Sequence, residues 1–264
     1  MEEVAMKKFV LIIGGLSLLV GVSFIAIPKW ERHREIQEAE KLLERELPPV
    51  TGSSASPSPN FNPTPSQSSS ARRELNLDVP FTSQAPNGNW DLPYQEACEE
   101  AAALMAIRYV FGNPIINAQD ADDGLLDLVK ANEALGFPID QTAKQVMALI
   151  HDVDPKIPVA LVEDPTIELL KDQLSQGYVI IVPAAGRELK NPFFNQPGPL
   201  YHMFVLRGYT DDGYFITNDP GTKRGEGYLY TFERVMDAMG DWNDGDPSSG
   251  GKVVLILKPL EIEN

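Results

Sequence analysis

Apolar and polar positions divide the chain into four stretches of different character. Residues 9–27, FVLIIGGLSLLVGVSFIAI, carry no charge and show no polar face. As a helix at ~1.5 Å per residue the run would extend about 28 Å. That matches the roughly 30 Å of a bilayer's hydrocarbon core and predicts a transmembrane anchor within residues 1–28. The alternative is a cleaved signal peptide, against which stand the length of the run and the lack of an A-x-A-like site at its end. Residues 29–47, KWERHREIQEAEKLLEREL, then read as a short charged juxtamembrane helix. Its apolar stripe of Ile36, Leu43 and Leu47 is narrow, so a solvated helix is expected. Residues 48–73 lose nearly all apolar character. Six Pro and eight Ser between 48 and 72 predict an extended, disordered linker.

The remaining stretch, 74–264, is long enough at about 190 residues to bury a substantial core as one domain. LNLDVPFTS (75–83) is strand-like, and APNGNWDLP breaks it. Cys98 to Phe111 predicts a helix whose apolar side holds Ala101, Met105 and Ile107 to Tyr109, with Gly112 ending it. Further helices are predicted over Asp122 to Leu135, Thr142 to Ile150 and Thr166 to Gln176. YVIIVP (178–183) reads as a buried strand between Gly177 and Pro183. YHMFVLRGY (201–209) and YFITND (214–219) read as a hairpin around TDDG, and KVVLILKPL (252–260) as a closing strand. Helices early and antiparallel strands late predict an α+β fold. There is no G-x-G-x-x-G, no Walker motif and no internal repeat.

Charge narrows the partners. The chain carries a formal net charge of −16. Residues 1–73 hold nine Lys/Arg and eight Asp/Glu, a net of +1, which leaves −17 on residues 74–264. Such a domain repels phosphate backbones, so nucleic acid is excluded as a partner; the acidity suits cationic peptides, although it is more often only a solubility feature. Lys7 and Lys8 precede the apolar run while Lys29, Arg32 and Arg34 follow it, so the positive-inside count does not orient it. The stalk-like linker favours an extracytoplasmic domain on a single-pass anchor in the cell membrane. No metal or cofactor is expected. In DWNDGD, counted from Asp241, Gly245 falls one residue early for a calcium loop and position twelve is Lys252; counted from Asp120, DADDG has Ala131 at position twelve.

Cys98 is the only cysteine, so no internal disulfide is possible. It stands at the predicted start of a helix, where unpaired N–H groups and the dipole favour a thiolate. Glu99 and Glu100 partly oppose that. Taken alone, an inert buried thiol is the plainer reading, and a catalytic one needs a base. Of three histidines, His33 and His151 are most simply surface residues. His202 opens a strand just after the loop FFNQPGPLY. A hairpin closed by TDDG sets Tyr209 opposite Tyr214 and Phe204 opposite Asp219. Asp219 then shares a face with His202, on the diagonal. An even-length loop keeps that parity, whereas an odd one needs a bulge to restore it. A carboxylate so placed holds the imidazole in the tautomer that faces a thiol. Gln84 and Gln95 are the candidate oxyanion donors.

These segments, LNLDVPFTSQ, a Cys opening an Ala-rich helix, and YHMFVLRGYTDDGYFITNDPG, resemble the cysteine peptidases that process double-glycine leaders of bacteriocins, and more closely their stand-alone papain-like relatives. TIELLKDQLSQGYVIIVP and YTFERVMDAMG resemble further segments of that family, so the likeness covers most of residues 75–258. It implies a papain-like fold with the nucleophile helix packed on an antiparallel sheet. It also implies Cys98 as nucleophile, His202 as general base, Asp219 as its orienting carboxylate and Gln84 as oxyanion donor. Two features depart from the family pattern: Glu99 stands where Gly often follows the Cys, and the gap from Gln84 to Cys98 is longer, which keeps Gln95 as a substitute. No transporter segment is present, so leader processing is not implied. The expectation is a membrane-tethered cysteine peptidase acting on a peptide or protein, with Trp90, Tyr94 and the loop from Ala184 to Leu200 lining its cleft. An amidase or acyl transferase on cell-wall peptides, and a catalytically idle peptide-binding module, are the alternatives.

Overall fold

The computed structural model of the chain describes residues 29–51 and 73–260. The apolar run 9–27 and positions 52–72 of the Pro/Ser-rich stretch lie outside the described residues. Among the described residues no helix is long and apolar enough to cross a membrane. Two units are distinguished, residues 1–37 and 38–264. Helix α1 (Lys29–Leu43) begins in the first, where Gln37 Nε2 lies 3.1 Å from His33 Nε2 and the Arg34 guanidinium sits over the Trp30 ring.

Ala39 is the one buried residue of α1, and the second unit holds the stretch at a few points. Leu43 packs against the core, and Arg45 forms a bidentate pair with Asp212 at 2.7 and 2.8 Å. Asn76 Nδ2 donates to the Pro48 carbonyl at 3.0 Å, and the Thr51 N–H donates to the Asn76 carbonyl at 2.8 Å. Residues 48–51 thus lie along strand β1 (Leu75–Asn76), and the packed unit reaches back beyond residue 74.

The fold is α+β around one antiparallel sheet. Helices α2 (Cys98–Val110), α3 (Ala118–Leu135) and α4 (Ala143–Val153) come first, then β2 (Val159–Glu163), α5 (Ile167–Ser175), β3 (Val179–Ala185), β4 (Tyr201–Tyr209), β5 (Tyr214–Asn218), β6 (Tyr228–Thr231), α6 (Phe232–Ala238) and β7 (Val253–Leu257). The strands run in the order β2-β7-β3-β4-β5-β6, with β1 also paired to β4. Two of these strands carry no strong sequence signal: β2 is a half-exposed edge and β6 has four residues. The strand expected to stop at Pro183 continues to Ala185. Pairing with β7 ends at Ile181, so Pro183 has no bond to donate on that side.

Local chemistry sets the helix ends. Asn117 caps α3 by accepting from the Gln119 and Asp120 N–H groups, Thr142 and Gln145 form a reciprocal box at α4, and Thr166 caps α5. Helix α2 differs. Its N-cap is Ala97, with no side-chain cap, and it is buried along almost its whole length. Ala101, Ala102, Ala103 and Ala106 are fully buried, which lets α2 lie close on β4 and β3 while α3 and α4 cover its other side. Gly124 permits the α3 approach, since a Cβ there would stand 2.9 Å from Leu104 Cδ1. Each Leu or Ile buried in this core contributes about 1.5–3 kcal/mol.

The β4–β5 register departs from the sequence expectation at its tip. Tyr209 pairs with Phe215 rather than Tyr214, so the loop is odd. A bulge between Leu206 and Gly208 absorbs the extra residue, and Val205 then faces Asn218, the register anticipated toward the far end of the hairpin. The displaced residue, Arg207, is buried; its Nε donates to the Leu77 carbonyl at 3.0 Å and its Nη1 to Asn218 Oδ1 at 3.3 Å.

Candidate active site

Close packing of α2 on β4 brings the first residue of the helix to the start of the strand. Cys98 is 7 % exposed, and the nearby Met203 backbone N–H favours the charged form of its sulfur. His202, the residue before Met203, lines the same cavity as Cys98, a space of about 430 Å³.

The imidazole is fixed from several directions. His202 Nε2 lies 2.7 Å from Asp219 Oδ1, leaving Nδ1 as the ring nitrogen not engaged by that carboxylate. The Phe194 ring meets it edge-on at 5.1 Å between centroids, and Phe204 stacks at 6.3 Å. Gly221 lies against the ring, where a Cβ would stand 2.9 Å from His202 Cε1 and 3.2 Å from Asp219 Oδ1.

Asp219 is fully buried and densely solvated by the protein. Its Oδ1 also accepts from the Gly221 N–H at 2.9 Å. Its Oδ2 accepts from Tyr230 Oη–H at 2.6 Å and from Asn191 Nδ2 at 3.2 Å. Burial alone would push this carboxyl up, but His202, Tyr230 and the Gly221 N–H together hold it below the ordinary carboxylate value. It is therefore an anion at neutral pH, suited to orient an imidazole.

The Asn218–Asp219–Pro220 segment also places the oxyanion candidates. Asn218 Nδ2 donates to the Val79 carbonyl at 3.0 Å, and the Gln84 N–H donates to the Pro220 carbonyl at 2.9 Å. Gln84 lines the cavity with Cys98. Its Nε2 donates to the Tyr94 carbonyl at 2.9 Å and the Gln95 carbonyl at 3.0 Å, so both amide hydrogens are engaged. Those bonds anchor the turn just before Cys98. Gln95 lines the cavity too. The uncapped first turn of α2 adds backbone N–H groups with no intrahelical partner.

Trp90 lines the cavity, as do Phe194, Asn195 and Gly198 to Leu200 from the 184–200 loop. Tyr94 does not; its carbonyl instead receives Gln84. No Lys or Arg lines the cavity, whereas Glu96, Glu99 and Asp140 do.

Sequence reading did not find Tyr230, Asn191 or Gly221. Tyr230 follows from β6 pairing beside β5, a strand of four residues, and Asn191 lies in an irregular loop with no periodicity to mark it. Nor did it find the polar cluster behind the thiol. Glu99 Oε2 lies 3.0 Å from Cys98 Sγ and Glu99 Oε1 accepts from the Gln141 N–H at 3.1 Å. Glu100 Oε1 accepts from Gln141 Nε2 at 2.7 Å. Tyr201 Oη lies 2.9 Å from the Gln141 carbonyl and 3.1 Å from Asp241 Oδ1. Burial, then the charge of Glu99, push the thiol well up from its ordinary value, against the pull of the Met203 N–H.

No curated protein matches the chain. Among solved structures, a crystal structure of a candidate C39-like peptidase from Bacillus anthracis is similar at 15 % identity and a TM-score of 0.45, over 69 % of this chain and 94 % of that one. The sequence model described as "Peptidase_C39 like family" matches residues 76–244, a span that runs from β1 past α6 and includes Cys98, His202 and Asp219, and the chain belongs to that family.

Proposed function

We propose that this protein is a cysteine peptidase that cleaves peptide bonds through Cys98, His202 and Asp219. The single observation that carries the reading is the convergence of the chain's one thiol and a carboxylate-oriented imidazole on one cavity. Nδ1 of His202 takes the thiol proton, and the Cys98 thiolate attacks the substrate carbonyl carbon. The resulting oxyanion is received by the Cys98 backbone N–H at the uncapped start of α2 and by Gln84, which releases one carbonyl to do so. The imidazolium then protonates the leaving amine. The thioester is hydrolysed by a water whose proton His202 accepts, and the thiol is restored. Asp219 keeps Nε2 engaged throughout. The cavity's acidic lining favours peptides carrying positive charge.

In this reading residues 9–27 anchor the protein in the cell membrane and the Pro/Ser-rich stretch holds the domain on the extracytoplasmic side. The support for this part is the uncharged run and the linker composition.

Digestion of a mixed peptide library by the wild type and by Cys98→Ala, with mass-spectrometric identification of products, tests the activity. Cleaved peptides that vanish with C98A support it, and cleavage persisting in C98A overturns it. Adding a primary amine separates hydrolysis from acyl transfer, since a transferase gives amine adducts. Gln84→Ala is expected to lower kcat by about 10²-fold, the usual effect of losing an oxyanion donor, and Gln95→Ala by far less.

A further inference from the structure

A carboxylate is a poor neighbour for a thiolate, yet Glu99 Oε2 lies 3.0 Å from Cys98 Sγ. The contact is not a surface accident, because Glu99 is 1 % and Glu100 3 % exposed. Groups facing this pair come from each element packed on it. Cys98 shares α2, Gln141 precedes α4, and Tyr201 and His202 come from β4, with Asp241 behind Tyr201. Asp140 lies along the same cavity. None of these groups is Lys or Arg, and neither glutamate has an ion-pair partner among the described residues. Burying an unpaired carboxylate is costly, so the neutral acid is favoured.

A proton on Glu99 has a fixed position, since Oε1 accepts the Gln141 N–H and the proton therefore belongs on Oε2, the oxygen that faces sulfur.

We propose that Glu99 works as a neutral carboxylic acid whose Oε2–H donates a hydrogen bond to the Cys98 thiolate, a role that rests on Cys98 being the nucleophile. The thiolate then has Glu99 as a fixed donor, with the nearby Met203 N–H also favouring the charge. Burial and the Glu100 charge push Glu99 up to about 8, in keeping with the acid form at neutral pH. The upward push of Glu99 on the thiol holds only for an ionised carboxylate. With the proton in place the same contact favours the thiolate. When Glu99 loses its proton to solvent, the thiolate recovers one from the imidazolium, and the site falls back to a thiol donating to a carboxylate.

The test is the rate of iodoacetamide alkylation of Cys98 from neutral to alkaline pH in the wild type, Glu99→Gln, Glu99→Ala and His202→Ala. The wild-type rate is expected to fall about tenfold over the pH unit above Glu99's ionisation. E99Q, whose amide still donates, loses that fall. E99A is slower than wild type at neutral pH by about tenfold or more, the loss of a bond to a charged group. A wild-type rate that rises steadily with pH, with E99Q no faster than E99A, overturns the role of Glu99 alone. Labelling indifferent to H202A overturns the nucleophile reading beneath it, and the proposal with it. Infrared difference spectra give a second readout. A protonated-carboxyl stretch present in wild type at neutral pH and lost in E99Q is expected, and an unchanged band overturns the proposal.

Discussion

His202 Nε2 and Asp219 Oδ1 meet at 2.7 Å because a bulge at Arg207 absorbs one residue of an odd hairpin loop. Without that bulge the two side chains would stand on opposite faces of the sheet. Asp219→Ala removes the acceptor facing Nε2, so nothing holds the imidazole in the tautomer that leaves Nδ1 free to take a proton. It is expected to lower kcat/KM by at least about 10²-fold, the scale of general-base catalysis. Tyr230→Phe removes the 2.6 Å bond to Oδ2 and the 2.8 Å bond that Tyr230 Oη accepts from Asn191 Nδ2, and is expected to cost about tenfold or less. Steady-state kinetics on one peptide substrate checks both.

Gly221→Ala tests how tightly the ring is held. The added Cβ would stand 2.9 Å from His202 Cε1 and 2.8 Å from Phe194 Cε1, so one ring must move. Activity is expected to fall tenfold or more, while far-UV circular dichroism stays that of the wild type. Equal activity would mean that the histidine has slack.

Stability should fall as pH rises from mildly acidic to mildly alkaline. Buried Glu99 and Glu100 are raised from 4.5 to about 8 and about 7. Between those limits the folded chain retains protons that the unfolded chain has released. The stabilisation this represents is complete below about pH 4.5 and is lost as pH climbs through 7–8. Urea midpoints are expected to be lower at pH 8.5 than at pH 6, and Glu99→Gln/Glu100→Gln together should flatten the slope.

Residues 43–51 are expected to stabilise the domain although they lie outside the family match. Leu43 packs on the core, and Asn76 and Thr51 tie the segment to β1. A chain beginning at residue 74 should melt several degrees below one beginning at residue 38, since each kcal/mol shifts a domain of this size by about 2–4 °C. Thermal unfolding followed by circular dichroism measures the difference.

The helices and the central strands were legible, because α3 to α5 have apolar patterns of the right period and clear caps, α2 is an apolar run closed by Gly112, and β3 to β5 are continuous apolar stretches. The edge strand β2 and the short β6 were not, since a half-exposed or four-residue strand has too few positions to show a period. The same limit explains the site. Cys98, His202 and Asp219 stand out by rarity and by strand parity. Tyr230, Asn191 and Gly221 act through tertiary approach and leave no local mark. Glu99 was visible as an objection to a thiolate. That objection assumed an ionised side chain, and only the burial and the Gln141 N–H show that Oε2 can carry a proton.

The most direct measurement of the central claim is iodoacetamide labelling of Cys98 across acidic to neutral pH in the wild type and His202→Ala. With a single cysteine in the chain, the label has one destination. The account predicts rapid labelling of the wild type well below the midpoint of ~8.5 of an ordinary thiol, and loss of that labelling in H202A. Identical profiles for the two proteins, each with the midpoint of an ordinary thiol, would contradict it.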